Sequence, residues 1–184
     1  RLYENMTHSN RRGWAIRCLG ALDVALWDIY GKSLGLPVYE LMGGAERNPF
    51  QTDPSQTNRA TEIVPYATIV SDNWEPDVVL RQQVERCETL AAEGFRAFKV
   101  EPMHSTRETA VELVRRTREA LGPDPMLALD VGYGYNDHAT ALWVSKRIEE
   151  YDVYFFETPF PVDVPDAYAR LSAQTSIPLA MGEH

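Results

Sequence analysis

From residue 63 onward one pattern repeats: a short apolar run, a turn, then a polar stretch whose apolar residues recur every three or four positions. The runs are IVPYATIV (63–70), FRAFKVE (95–101), MLALDVG (126–132), VYFFE (153–157) and IPLAMGE (177–183). Their length and β-branched or aromatic content mark them as strands. Helices are expected between them over about 75–93, 106–121, 138–150 and 165–174, with Asp137 as the N-cap of the third. Strands alternating with helices at this spacing form parallel β-α-β units, which leaves two α/β architectures: a doubly wound sheet or a TIM-type (β/α) barrel.

The ends of the strands favour the barrel. Four of the five runs finish in ionisable side chains: Lys99 with Glu101, then Asp130, Glu157 and Glu183. A barrel brings every strand C-terminus to one mouth, where such enzymes place their chemistry, whereas a doubly wound sheet spreads them along an edge. Eight strands need about 250 residues, and the 184-residue chain stops straight after the fifth. The expectation is therefore a partial barrel of about five strands, part of a larger enzyme.

Before residue 60 the pattern differs. Ile16, Leu19, Leu22, Ala25, Leu26 and Ile29 form the stripe of an amphipathic helix from Gly13 to Tyr30, with Gly31 and Gly35 ending it. Pro37 opens a second short helix, PVYELM, stopped by Gly43 and Gly44. Residues 45–61 are polar and rich in turn formers, as a linker would be. Two regions follow, 1–60 (helical, with the linker) and 61–184 (the barrel part).

With 44% hydrophobic and 24% charged residues the chain is ordinary for a globular protein with a real core. A net charge of −9 leaves no diffuse cationic surface for nucleic acid or anionic lipid. No run approaches the roughly 20 apolar residues of a membrane span. Cys18 and Cys87 stand alone without metal-like spacing, which suits a reducing, cytoplasmic setting. The sequence starts without Met.

Asp130, Glu157 and Glu183 are separated by 27 and then 26 residues, one strand–helix unit each, so successive strands deliver one carboxylate apiece to the same rim. Three converging carboxylates repel and raise one another's pKa unless a cation sits among them. A hard divalent ion answers that need, and oxygen-only ligation suits Mg²⁺. Strand-end acids also occur as helix N-caps or arginine partners, the plainer alternative.

These residues carry a family resemblance. MLALDVG, FFETP and PLAMGE resemble the three metal-ligand strands of the enolase superfamily, and GALDVALWDIYGKSLGLPVYELMGG resembles its signature helix before the barrel. With GFRAFKV the likeness covers most of residues 13–184, and it is closest to the mandelate racemase and sugar-acid dehydratase branch. SIPLAMGEH favours the acid-sugar dehydratases. The resemblance implies an α+β capping domain, here represented by its helical part, above a modified barrel that holds Mg²⁺ on Asp130, Glu157 and Glu183. It further implies a small-molecule carboxylate substrate and assembly as a homo-oligomer. The shared step is removal of the proton α to the substrate carboxylate to give an enediolate; in a dehydratase a β-hydroxyl then leaves.

Residues two apart on a strand face the same side, so Lys99 and Glu101 both point into the mouth while Val100 packs outward. The family often carries Lys-x-Lys on this strand, the second lysine being a base. Lys99 matches the first lysine, and Glu101 departs from the second. A carboxylate there could act as a base if its pKa were raised, hold Lys99 charged, or contact a substrate hydroxyl; or the pair is a plain rim ion pair before Pro102. Gly132 is a second departure, since the family often has a polar residue two positions after the first metal ligand. Tyr133, Tyr135, Asn136 and His138 follow it and could compensate. His104 lies on a loop near the mouth, His184 is expected to face away from Glu183, and Asp23, Asp28, Trp14, Trp27 and Trp143 read as structural. Other readings are a racemase or epimerase of the same superfamily, a barrel lyase forming a Schiff base on Lys99, and a non-catalytic barrel.

Overall fold

A computed structural model describes residues 13–43 and 64–182, in two compact units divided between residues 63 and 64. In the first, helix α1 spans Trp14–Leu34 and α2 spans Val38–Leu41. The expected stop at Gly31 is overrun by one turn. Helix α1 ends at Gly35, the second of the two expected stops, whose φ of 66° turns the chain so that Leu36 N–H reaches the Gly31 carbonyl at 3.0 Å. Gly31 is required for another reason: a Cβ there would lie 2.7 Å from the Leu36 carbonyl oxygen. The apolar stripe of α1 is largely exposed at Leu22, Leu26 and Ile29. The linker expected over 45–61 lies outside the described residues.

The second unit contains β1 (Ala67–Val70), α3 (Pro76–Ala92), β2 (Ala97–Glu101), α4 (Arg107–Leu121), β3 (Met126–Asp130), α5 (His138–Ile148), a 3-10 turn (Glu149–Tyr151), β4 (Val153–Glu157), α6 (Pro165–Ser172) and β5 (Leu179–Ala180). The strands are all parallel and lie in the order β1-β2-β3-β4-β5. A doubly wound sheet reverses direction at a switch point; a sheet that never reverses is the wall of a barrel. Strand β1 starts later than the apolar run, after Pro65, which has no N–H to give a ladder. Thr106 and Asp137 cap α4 and α5 by accepting from the N–H groups of Thr109 and Thr140.

Alternation sorts the strand side chains into two layers. Phe98, Val100, Leu127, Leu129 and Phe156 are fully buried together with Leu113, Val114, Val144, Ile148 and Leu171 of the helices, each worth about 1.5–3 kcal/mol of burial. At the strand entry end Arg118 ties α4 to the turns before β3 and β4, donating to the carbonyls of Tyr151, Gly122, Pro123, Pro125 and Asp152 at 2.8–3.2 Å. Burial lowers its pKa from the usual arginine value. The opposite layer and the exit end of the strands carry the candidate site. Among the described residues no helix is long and apolar enough to cross a membrane.

Candidate active site

Strand β2 delivers Lys99 and Glu101 to one face, as the two-residue period requires, and parallel pairing sets Asp130 of β3 opposite Glu157 of β4. The Lys99 ammonium lies among all three acids: 3.0 Å from Asp130 Oδ2, 2.9 Å from Glu157 Oε2 and 3.3 Å from Glu101 Oε1. Its side chain is 9% exposed, against 4% for Asp130 and 15–16% for the two glutamates. Burial alone would lower the lysine pKa; hydrogen bonds to Glu157 and Asp130, with their charges, outweigh it and hold the ammonium well above its ordinary value. Glu101 is raised, by burial first and the Asp130 charge second, against the opposing pull of Lys99. The Tyr66 ring completes the surround, its centroid 5.6 Å from the nitrogen.

Asp130 is fixed through its other oxygen. Oδ1 accepts from Gly132 N–H at 2.9 Å and from the Thr158 hydroxyl. Strand alternation would send Thr158 away from Glu157, toward the helices. A φ of 48° breaks the alternation and returns its side chain to Asp130, while its N–H still bonds the Ala180 carbonyl. Sequence reading passed over this buried threonine; its only signal was a polar residue between a strand-end acid and a proline. Gln83 of α3 was also passed over. Fully buried, it gives Nε2 to the Glu101 carbonyl at 2.7 Å and takes the Glu101 N–H on Oε1 at 3.0 Å, pinning the backbone where β2 ends.

Gly132, at a position where the family often has a polar side chain, adopts φ 52°, and a Cβ there would lie 2.5 Å from Met103 Cε. The Met103 thioether fills that space. Beside it, Met103, His104, Ser105, Gly132 and Tyr135 line a cavity of about 380 Å³ between the loops after β2 and β3. The Ser105 and Tyr135 hydroxyls are buried without a hydrogen-bond partner, and burial, helped by the Glu108 charge, raises the Tyr135 phenol. His104 packs by its ring against Trp74, 4.9 Å between centroids. His138 stands in the first turn of α5 and meets Gln174 at 2.8 Å. Trp143 has the guanidiniums of Arg147 and Arg107 over its ring, and Asp28 pairs with Lys32. Glu183 and His184 lie outside the described residues.

Among the described residues no group of three acid, histidine or cysteine side chains is gathered as a metal site. Asp130 and Glu157 nevertheless turn one oxygen each toward the same cationic atom. Two hard, anionic oxygens already shared by one cation are a donor set that fits Mg²⁺.

The motifs around these carboxylates can be set beside known proteins. Residues 4–43 match the sequence model of the mandelate racemase / muconate lactonizing enzyme N-terminal domain, and residues 82–184 match that of the enolase C-terminal domain-like family. The chain belongs to the enolase superfamily, in its mandelate racemase branch. Within the superfamily it is 31% identical over 182 residues to D-galactarolactone cycloisomerase of Agrobacterium fabrum, covering 99% of this chain and 44% of the relative. Identity to D-galactonate dehydratase of Klebsiella pneumoniae is 33% over 173 residues, 90% of this chain and 40% of the relative. The crystal structure of 3,6-anhydro-D-galactonate cycloisomerase from Zobellia galactanivorans superposes with a TM-score of 0.82 at 31% identity, over 99% of this chain and 46% of that one. The chain thus spans less than half the length of these superfamily members, and its five parallel strands correspond to part of a TIM-type barrel.

Proposed function

We propose that this chain carries the metal-binding side of an enolase-superfamily lyase site that removes the proton α to a carboxylate, and that the whole protein dehydrates a sugar acid. The observation that supports this best is the convergence of Asp130 and Glu157, from adjacent strands, on one buried cation. Asp130, Glu157 and Glu183 would hold Mg²⁺, which when bound supplies a fixed double positive charge to stabilise the negative charge that develops as the α proton leaves. Residues 1–60 belong, on this reading, to the capping domain and linker, and residues 61–184 to the first half of the barrel. The two free cysteines, Cys18 and Cys87, fit action in the cytoplasm.

Thr158 and the Gly132 N–H orient Asp130, so its remaining oxygen needs no reorganisation to meet a cation. Lys99 supplies positive charge beside the substrate carboxylate. Glu101 keeps that lysine charged, and Gln83 holds Glu101 in place. A Schiff base on Lys99 is disfavoured, because it needs the free amine and three carboxylates stabilise the ammonium. A racemase that draws its base from the second position of Lys-x-Lys is disfavoured by Glu101.

The test is a screen of the full-length protein against aldonic and aldaric acids, with a carbonyl reagent detecting the 2-keto acid that forms when the α proton and β-hydroxyl are lost. Turnover that requires Mg²⁺ and drops at least about a thousandfold in Asp130→Asn supports the reading. Metal-independent turnover, or substrate trapped on Lys99 by borohydride, would reject it.

A further inference from the structure

The Lys99 ammonium is held by the two described carboxylates that would hold a metal ion. Its two shortest contacts are to Asp130 Oδ2 and Glu157 Oε2, both oxygens that face the shared position. An ammonium and a divalent ion sharing the same two oxygens repel each other strongly in a poorly solvated site, which disfavours their binding there together. Loading an ion therefore favours release of both carboxylates by Lys99. A buried ammonium released with no acceptor would be strongly disfavoured. One acceptor already stands beside it. Glu101 Oε1 is 3.3 Å away, on the same strand and the same face, with its backbone clamped on both polar atoms by Gln83 and followed by Pro102. The Tyr66 ring lies over the same nitrogen. A second lysine at position 101 could not serve, since it would repel the cation it had to receive.

We propose that Lys99 is a built-in counter-ion that competes with a divalent metal ion for Asp130 and Glu157, and that Glu101 is the positioning residue that takes over the ammonium when the ion binds. This rests on the functional reading above. It goes further in giving the Lys-x-Glu pair a purpose: the carboxylates stay neutralised and in place before loading, and the lysine stays charged and close afterwards.

The test uses the full-length protein, Mn²⁺ binding followed by electron paramagnetic resonance and Mg²⁺ binding by calorimetry, without reference to turnover. Lys99→Met removes the competitor and should tighten both ions at least about tenfold, while Glu101→Gln strands the ammonium on Asp130 and Glu157 and should weaken them by at least about the same factor. In the Lys99→Met background the Glu101→Gln effect should shrink to a small fraction of its size. Crystals of the wild-type protein grown with Mg²⁺ should show Nζ hydrogen-bonded to Glu101 and parted from the other two, a readout that survives if a variant fails to fold. Unchanged or weaker binding by Lys99→Met overturns the competition. An equal effect of Glu101→Gln in both backgrounds overturns the transfer, since Glu101 would then act only through its own charge. A loaded crystal with Lys99 still on Asp130 and Glu157 overturns both. Failure of the wild type to bind either ion would instead overturn the functional reading itself.

Discussion

Replacing Lys99 with methionine keeps the apolar stem and deletes a cation that Asp130, Glu157 and Glu101 share. Asp130 Oδ2 and Glu157 Oε2 each lie about 3 Å from Nζ, so they sit no more than ~6 Å apart, where two unit charges repel by ~3 kcal/mol at an effective dielectric constant of ~20. Removing one partner of a buried ion cluster typically costs about 3–5 kcal/mol. Because both glutamates retain some solvent contact, the expected loss at pH 7 is about 2–4 kcal/mol. The assay is urea denaturation of the full-length protein, wild type and variant, from pH 5 to 9. The sign of the pH dependence follows from linkage. In the wild type the raised Lys99 pKa contributes stability that is fully present below the ordinary lysine value of about 10.4 and is lost as pH rises through the higher folded value. Glu101, also raised, favours the fold below the ordinary glutamate value and loses that contribution as pH rises through its own. In the variant the three carboxylates lose the counter-charge they share and repel one another. The deficit should be largest at pH 7 and above, and shrink as pH falls toward the ordinary carboxylate range, about 4. A variant as stable as wild type at pH 7, or a deficit that does not change between about pH 5 and 7, would refute the argument that this ammonium neutralises the cluster.

Thr158→Val removes the hydroxyl from Asp130 Oδ1, leaving Gly132 N–H as its donor; a loss of about 1–2 kcal/mol in denaturation and roughly tenfold weaker Mn²⁺ binding are expected, and unaltered ion affinity would show that Asp130 is oriented without it. Gly132→Ala meets both a left-handed backbone and the Met103 side chain 2.5 Å away, so it should destabilise by about 1 kcal/mol from the backbone alone and by more from the clash. Shortening Met103 to alanine in the same protein should recover the steric share, which a double-mutant cycle measures as coupling. Arg118→Met leaves five carbonyls at the strand entry end without their shared donor and should cost about 2–4 kcal/mol with turnover per folded molecule unchanged, because the site is at the other end of the strands.

Most of the second unit was legible because its signals are local. Apolar runs of fixed period give the strands, Thr106 and Asp137 mark helix starts, and two-residue alternation already put Lys99 and Glu101 on one face. The same local reasoning stopped α1 at Gly31, since a glycine at that point reads as a terminator; the helix continues because Gly31 answers a steric demand from the Leu36 carbonyl, a contact that exists only once the chain has turned back. Met103 over Gly132, Thr158 turned back onto Asp130, and Gln83 clasping the Glu101 backbone were illegible for a related reason. Each depends on a φ value or a partner supplied by a different element, and no periodicity records that.

The sequence by itself therefore determined the parallel strand–helix order, the end of each strand at which the acids collect, and the superfamily, since these follow from patterning and motif order along one chain. Only the tertiary structure decided what those acids meet. It placed the Lys99 ammonium among Asp130, Glu157 and Glu101, because the register between three separate strands, and the burial that makes an unpaired charge costly there, come into being only when the sheet assembles.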